Sequence, residues 1–234
     1  MSELPEEFKE FASLDIPASL VMNLGTPNTR LVHVLTTGLH IYNQYGKPVV
    51  FDPVGAGASK PRLSTCRELL NAGQFTVIGE IMALQKLSVS SQVEQKSEQA
   101  TMQGVDSTVE LDSEQVASIA TKVSQEFRAV VVVSGAKNTI AEYVDEKASR
   151  IAVVDGGHPI MGSVTGTGCS LGSAIACYVA CASHNKCDIF EAVVDAVKFY
   201  NEAGARAGAE SKGPGQFSSN FLDELALGQA AREA

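Results

Sequence analysis

The sequence has few basic residues and no long hydrophobic run. Its 234 residues include 18 Lys and Arg against 27 Asp and Glu, which gives a formal net charge of −9. Because an acidic surface repels a phosphate backbone, we do not expect nucleic acid as a partner, although a local pocket can still bind a small anion. No uninterrupted apolar run is long enough to predict a transmembrane helix, so we expect no membrane association.

Two further absences indicate a cytoplasmic protein. Residues 1–11 are acidic and lack the basic region and the apolar stretch of a signal peptide. The cysteines are few and odd in number, which argues against a disulfide framework. They are Cys66, Cys169, Cys177, Cys181 and Cys187.

Cys177 and Cys181 are four residues apart and would share one face of a helix. This spacing leaves a metal pair open. Cys169, however, would lie roughly 12 Å from Cys177 along the same helix, too far to complete a tetrahedral site. We therefore interpret the pair as small, buried residues of a core helix.

Apolar segments of strand and helix type alternate along the chain, and no repeat is visible. The hydrophobic content of 44% provides a core for one large domain or two small ones. Strands are predicted in residues 19–26, at the start of 47–59, in 75–78 and 129–135, and as a hairpin in 139–144 and 150–156. Helices are predicted in residues 2–12, 28–46, 61–70, 113–127, 169–183 and 189–210, with another starting at 79 and a last one after a turn at 212–217. This order predicts a single α/β domain over residues 1–234, with a mainly parallel central sheet and helices on both faces.

Ligands of open α/β sheets bind beyond the carboxyl ends of the strands. Four segments are predicted to meet at that edge: NLGT (23–26), DPVGAGA (52–58), SGAKN (134–138) and GTGC (166–169). All four contain glycine, two of them twice, and the second carries an aspartate at the end of its strand. We therefore look for the functional site among these four segments.

The GTGC segment has the composition of an anion site. Gly166 and Gly168 permit a tight turn, and Cys169 is predicted to open a long helix whose free N–H groups and positive end attract an anion. A thiol at a helix N-terminus is more readily deprotonated than a free thiol, so Cys169 could act as a base or as a nucleophile. The alternative is a glycine turn and a passive small residue that only allow close packing.

Two carboxylates are candidate metal ligands at the same edge. Asp52 follows a predicted buried strand and could hold Mg²⁺ directly or through water. Glu80 follows the next strand and lies within reach of the same crevice. The alternatives are that Asp52 caps the following turn and that Glu80 is a solvated residue in the first turn of a helix.

Six motifs, in order, resemble those of hydroxyethylthiazole kinases of the ribokinase-like superfamily. They are NLGT, PVVFDPVGAGAS, GVDS, VVVSGAKNTIAEY, GSVTGTGCSLGSAIA and KGPGQF, spread over residues 18–225. The resemblance implies a ribokinase-like fold and transfer of the ATP γ-phosphoryl group, with Mg²⁺, to the primary alcohol of 4-methyl-5-(2-hydroxyethyl)thiazole in thiamine biosynthesis or salvage. It also implies a homo-oligomer, typically trimer-based, with active sites at subunit boundaries.

The resemblance assigns roles to seven residues. Gly166, Thr167 and Gly168 match the family's anion hole, and Cys169 matches the residue beside the accepting hydroxyl. Asp52 and Glu80 match the acidic residues near the phosphates and the metal. Ser134 matches the Ser or Thr that contacts ATP.

The sequence departs from the family pattern in two places. The family begins with a segment that helps to bind the thiazole, and here the chain starts just before LVMNLGT. The family also has an Asn-x-x-Glu metal pattern where this chain reads FTVIGEIMALQ, without the Asn. We expect the kinase part of a fungal bifunctional protein, truncated at its N-terminus. A non-catalytic ribokinase-like subunit and a kinase for another vitamin-precursor alcohol are the alternatives.

Overall fold

The computed structural model describes residues 4–79, 102–103, 106–107, 112–146 and 148–233. Its helices are α1 Pro5–Ser13, α2 Thr29–Gln44, α3 Lys60–Ala72, α4 Ser113–Phe127, α5 Thr167–Asn185, α6 Ile189–Ala209 and α7 Pro214–Glu233, with short 3₁₀ helices at Ala56–Ala58 and Pro159–Ser163. Its strands are β1 Leu20–Asn23, β2 Val49–Asp52, β3 Val77–Gly79, β4 Met102–Gln103, β5 Asp106–Ser107, β6 Val130–Val133, β7 Lys137–Asp145 and β8 Ala148–Asp155.

Six strands form the central sheet in the order β1-β2-β3-β6-β7-β8, and β4 and β5 form a separate antiparallel pair. The first four strands of the central sheet are parallel, whereas β7 and β8 continue it as an antiparallel hairpin. The prediction of a mainly parallel sheet with a hairpin after it is therefore confirmed.

Helices cover both faces of the sheet. Alternate side chains of a strand point to opposite faces, so Val49 and Phe51 enter one core while Val50 enters the other. The first core contains buried residues of α2, α3 and α4, and the second contains those of α5, α6 and α7. Burial on both faces explains why the parallel strands read as continuous runs of Val, Ile and Phe.

Two helix starts beside the glycine-containing segments differ from the sequence prediction. Helix α5 begins at Thr167, two residues before Cys169, because Gly166 adopts a left-handed conformation that starts the helix there. Helix α7 begins at Pro214, inside the segment predicted as a turn, since proline is well suited to a first helical position. Helix α4 has the predicted bounds, and Asp112 caps it and forms a capping box with Gln115.

The interpretation of Cys177 and Cys181 as buried residues is wrong, because both are exposed. Helix α5 buries Leu171, Ile175 and Val179 against the sheet, and the two cysteines fall on the opposite side.

Among the described residues, no three His, Cys, Asp or Glu side chains are grouped to hold a metal ion. Nor does any helix in the described ranges have the length and hydropathy needed to cross a membrane.

Candidate active site

A cavity of about 280 Å³ lies between the carboxyl end of the parallel strands and the first turns of α5. Its floor is apolar and comes from the sheet and from α5. The floor residues are Val50, Val77, Val132, Leu171 and Ile175. Six of the predicted site residues also line it: Asp52, Ser134, Gly166, Thr167, Gly168 and Cys169. The structure therefore brings these six together, whereas the seventh, Glu80, lies outside the described residues.

Asp52 is the buried carboxylate of this cavity, only 8% exposed at the end of β2. Asn23 is its neighbour in the sheet register, and Asn23 Nδ2 donates a 2.7 Å hydrogen bond to Asp52 Oδ2. The Cys169 side chain also hydrogen-bonds to this carboxylate. Burial raises the pKa of Asp52 to about 6, because desolvation outweighs the two hydrogen bonds that favour the charged form.

The loops that follow β1 and β2 are tied together on the far side of Asp52. Asn23 Oδ1 accepts the N–H of Gly25 at 2.9 Å, which closes a turn at the end of β1. The Arg62 guanidinium donates to the carbonyl oxygen of Val54 at 2.6 Å and also to that of Gly25. These bonds fix the backbone around Asp52, so its carboxylate is held toward the cavity by neighbours distant in the sequence.

The N-terminus of α5 forms the opposite wall and is open. Its N-cap, Gly166, has φ 101°, makes no side-chain cap, and no acidic residue follows in the first turn. The first helical backbone bond runs from Ser170 N–H to the Gly166 carbonyl at 2.8 Å, so the amides of residues 167–169 precede the hydrogen-bond ladder. A Cβ at Gly166 or Gly168 would meet nothing within 4 Å, so this end of the helix faces open space.

Thr167 is bound to the preceding segment rather than turned toward the cavity. Its Oγ1 lies 3.0 Å from the Met161 carbonyl oxygen and 3.1 Å from that of Val164, and its single hydrogen is shared between them. The Thr167 N–H also donates to the Val164 carbonyl, at 3.5 Å, so an anion at this end of the helix would contact the amides of Gly168 and Cys169. The Ser134 side chain is exposed at the end of β6, on the rim of the cavity.

Two glycines of α6 allow the segment before α5 to pack closely, and sequence reasoning missed them. A Cβ at Gly204 would lie 2.4 Å from Met161 Sδ, and one at Gly208 would lie 2.1 Å from His158 Cγ. Their spacing of four residues, which places both on one helix face, was the available signal. Asn23 was also missed as a partner of Asp52, although it begins the NLGT segment that was predicted to lie at this edge.

The arrangement suits a small molecule with an apolar body, a hydroxyl group and an anionic partner. Backbone amides at an uncapped helix N-terminus bind anions. The Cys169 sulfur can accept a proton from a hydroxyl placed beside it as the thiol's own proton passes to the buried Asp52 carboxylate to which it is hydrogen-bonded. The Val, Leu and Ile floor contributes apolar surface for the remainder of the molecule.

Comparison with known proteins points to one family. The profile of the hydroxyethylthiazole kinase family matches residues 1–229. A hydroxyethylthiazole kinase of Staphylococcus carnosus is 33% identical over 231 residues, covering 96% of this chain and 78% of that protein. One of Pyrococcus furiosus is 32% identical over 230 residues, covering 97% and 78%.

Solved structures agree with this assignment. The hydroxyethylthiazole kinase protein of Pyrococcus horikoshii OT3 superposes with a TM-score of 0.74 at 28% identity, over 96% of this chain and 76% of that one. A ribokinase-like superfamily protein of Enterococcus faecalis V583, at 15% identity and a TM-score of 0.58 over 96% and 68%, shares the fold. The fold is therefore ribokinase-like, and the chain belongs to the hydroxyethylthiazole kinase family.

Proposed function

We propose that the chain transfers the γ-phosphoryl group of ATP to the primary alcohol of 4-methyl-5-(2-hydroxyethyl)thiazole, a step of thiamine biosynthesis or salvage. Family membership supports the reaction class. The observation that carries the proposal for this chain is the meeting of an uncapped helix N-terminus with a thiol hydrogen-bonded to a buried carboxylate, in one cavity.

The amides of Gly168 and Cys169 would hold the phosphoryl group in transit. Phosphoryl transfer needs little covalent work from the protein, so fixed donors that face the developing charge provide most of the rate. The Cys169 sulfur would receive the acceptor's proton while the thiol's own proton passes to the Asp52 carboxylate, whose hydrogen bond also orients the thiol. Gly166 and Gly168 leave room for the phosphoryl group because they carry no side chain.

Asp52 fits a magnesium site. It is a carboxylate at the end of a strand, and its burial is offset only in part by its described hydrogen bonds, so a cation beside it would relieve the desolvation. Mg²⁺ bound there would neutralise phosphate charge during transfer. Glu80 as a second ligand and Ser134 as an ATP contact stay predictions from the family resemblance.

A trimer-based homo-oligomer in the cytoplasm also stays a prediction. The β7–β8 hairpin supports association between copies, because Val144, Ile151 and Val153 are each about half exposed. Light scattering coupled to size-exclusion chromatography would measure the mass directly. Origin from a fungal bifunctional protein stays a prediction in the same way.

The test is an assay of the thiazole alcohol with ATP, with and without Mg²⁺, following the phosphate ester by mass spectrometry. We expect Mg²⁺-dependent product, and a fall in kcat of about 100-fold in Cys169→Ala, in the range for loss of a proton acceptor. Cys177→Ala is the matched control, since Cys177 is exposed on the same helix and should leave the rate unchanged.

Each other outcome separates the alternatives. A wild-type protein that folds but phosphorylates no alcohol would be a non-catalytic subunit. Faster turnover of a different vitamin-precursor alcohol would identify that alcohol, and not the thiazole alcohol, as the substrate. Full activity in Cys169→Ala would remove the proton-accepting role from the thiol and leave the anion-binding turn as the main contribution.

A further inference from the structure

Tyr200 on α6 contacts the first turn of α5 from the side away from the cavity. Its side chain is buried, with 2% exposure, and its ring packs edge-on against Phe221 with centroids 5.0 Å apart. The Tyr200 hydroxyl donates to the carbonyl oxygen of Thr167 at 2.5 Å and lies 2.5 Å from Ser170 Oγ. One buried hydroxyl therefore joins two residues of the turn that forms the anion wall.

Two hydroxyls and two carbonyl oxygens share these hydrogen bonds. The Tyr200 hydroxyl donates to the Thr167 carbonyl, and either hydroxyl can be the donor between Tyr200 and Ser170. The Ser170 hydroxyl also lies 2.9 Å from the Gly166 carbonyl oxygen and 3.2 Å from that of Thr167. Burial raises the pKa of Tyr200 to about 12, so its hydroxyl remains a donor at physiological pH.

This turn has particular need of an external support. Its N-cap, Gly166, offers no side chain to its own amides, and Gly168 as the second helical residue adds backbone freedom. Helix ends fray when their groups are unpaired. The Thr167 hydroxyl supports the turn from the side of Met161 and Val164, and the Tyr200–Ser170 pair supports it from α6.

We propose that Tyr200 is a positioning residue for phosphoryl transfer, which acts through Ser170 and the Thr167 carbonyl to hold the amides of Gly168 and Cys169 and the Cys169 thiol toward the cavity. The role rests on the proposed kinase function. Tyr200 is not among the described residues that line the cavity, so it acts through the first turn of α5 and not by contacting substrate.

Tyr200→Phe removes one oxygen and keeps the ring. We expect kcat for the thiazole alcohol to fall between about 10- and 100-fold, as for small displacements of reacting groups, while KM changes less than about threefold. Tyr42→Phe is the matched control, because Tyr42 is another buried tyrosine but lies on α2 in the opposite core. We expect its kcat and KM to match those of the wild type.

A second readout does not depend on turnover. The rate of Cys169 alkylation by iodoacetamide at one pH, divided by that of exposed Cys177 in the same chain, can be followed by peptide mass spectrometry. A loosened turn should raise this ratio by about threefold or more in Tyr200→Phe and leave it unchanged in Tyr42→Phe. Ser170→Ala, which removes the other hydroxyl of the pair, should shift both readouts in the same direction and replaces Tyr200→Phe if that variant does not fold.

The two proposals fail in distinguishable ways. An inactive wild type whose alkylation ratio still rises on substitution would overturn the kinase function and keep the positioning of the thiol. An active wild type with unchanged kcat and an unchanged ratio in folded Tyr200→Phe would overturn the positioning role. A fall in kcat of equal size in Tyr42→Phe would also overturn it, because the loss would then be general.

Discussion

Helices α5 and α6 follow one another on the same face of the sheet, yet their N-termini are built in opposite ways. Helix α6 is capped by Asp188, whose carboxylate accepts the N–H of Glu191 at 3.1 Å, and Glu191 adds a negative charge to the first turn. Helix α5 begins at Gly166 with no side-chain cap and no acidic residue. At the α6 N-terminus, residues of the protein itself accept hydrogen bonds from the helix amides. At the α5 N-terminus, backbone amides are left for a ligand.

The carboxylates beside the two helix N-termini, Asp188 at α6 and Asp52 at α5, have pKa values shifted in opposite directions. Asp188 is exposed and paired with Arg150, and the hydrogen bond from that guanidinium holds the pKa of Asp188 below its usual value. Asp52, opposite the α5 N-terminus, is buried beside an amide and a thiol, and its pKa is raised. One carboxylate is stabilised in its charged form by the fold, whereas the other is held in a costly position at the candidate active site.

The largest expected effect comes from making α5 resemble α6. Gly168→Asp places a carboxylate in the first turn, where a new Cβ meets nothing within 4 Å. We expect kcat/KM for the thiazole alcohol to fall about 1000-fold, because the charge occupies the anion site. The free energy of unfolding should stay the same or rise by about 0.5 kcal/mol, since an acidic residue suits a helix N-terminus. Enzyme kinetics and urea unfolding measure the two quantities.

Gly215→Asp is the control for that substitution. Gly215 is the second residue of α7, as Gly168 is of α5, and a Cβ there also meets nothing within 4 Å. We expect a similar change in stability and no loss of activity. Equal activity in Gly168→Asp and Gly215→Asp would contradict the view that the open end of α5 binds an anion.

Sequence alone could predict the sheet and most of the site because both depend on local patterns. Continuous apolar runs identified the strands, and the glycine-rich segments at their ends identified Asp52 and residues 166–169 as neighbours. The pairing of Asn23 with Asp52 required the order of the strands, which no local pattern contains. Tyr200 reaches Ser170 across two packed helices, so its role also depends on tertiary structure.

The predictions of where helix α5 begins and of a buried Cys177 were wrong for a related reason. A glycine pair before an apolar run indicates a turn, but only backbone conformation shows that Gly166 is the N-cap and that Gly168 is already helical. Small residues occur on every face of helix α5. The sequence pattern therefore did not indicate which face packs against the sheet.

The next effect concerns the buried carboxylate. The pKa of Asp52 is about 6 in the folded protein against an ordinary 3.8, so between these values the folded state binds more protons than the unfolded one. Without Mg²⁺, the free energy of unfolding should therefore fall as the pH rises from about 4 to about 6, by on the order of 3 kcal/mol from this group. Urea unfolding of wild type and Asp52→Asn across this range measures it. If both proteins show the same pH dependence, Asp52 is not the group responsible.

The smallest effect comes from making α6 resemble α5. Asp188→Ala removes the cap and the partner of Arg150, and we expect a loss of about 1 kcal/mol in unfolding free energy at pH 7. Because its pKa is lowered in the folded state, Asp188 stabilises above its ordinary pKa, so the difference from wild type should shrink as the pH falls below that value. Activity should remain within about twofold, since surface stability changes of this size leave a folded site intact. A large loss of activity in a folded Asp188→Ala protein would mean that the α6 N-terminus also contributes to the reaction, and the contrast between an internally satisfied helix and a ligand-binding one would not hold.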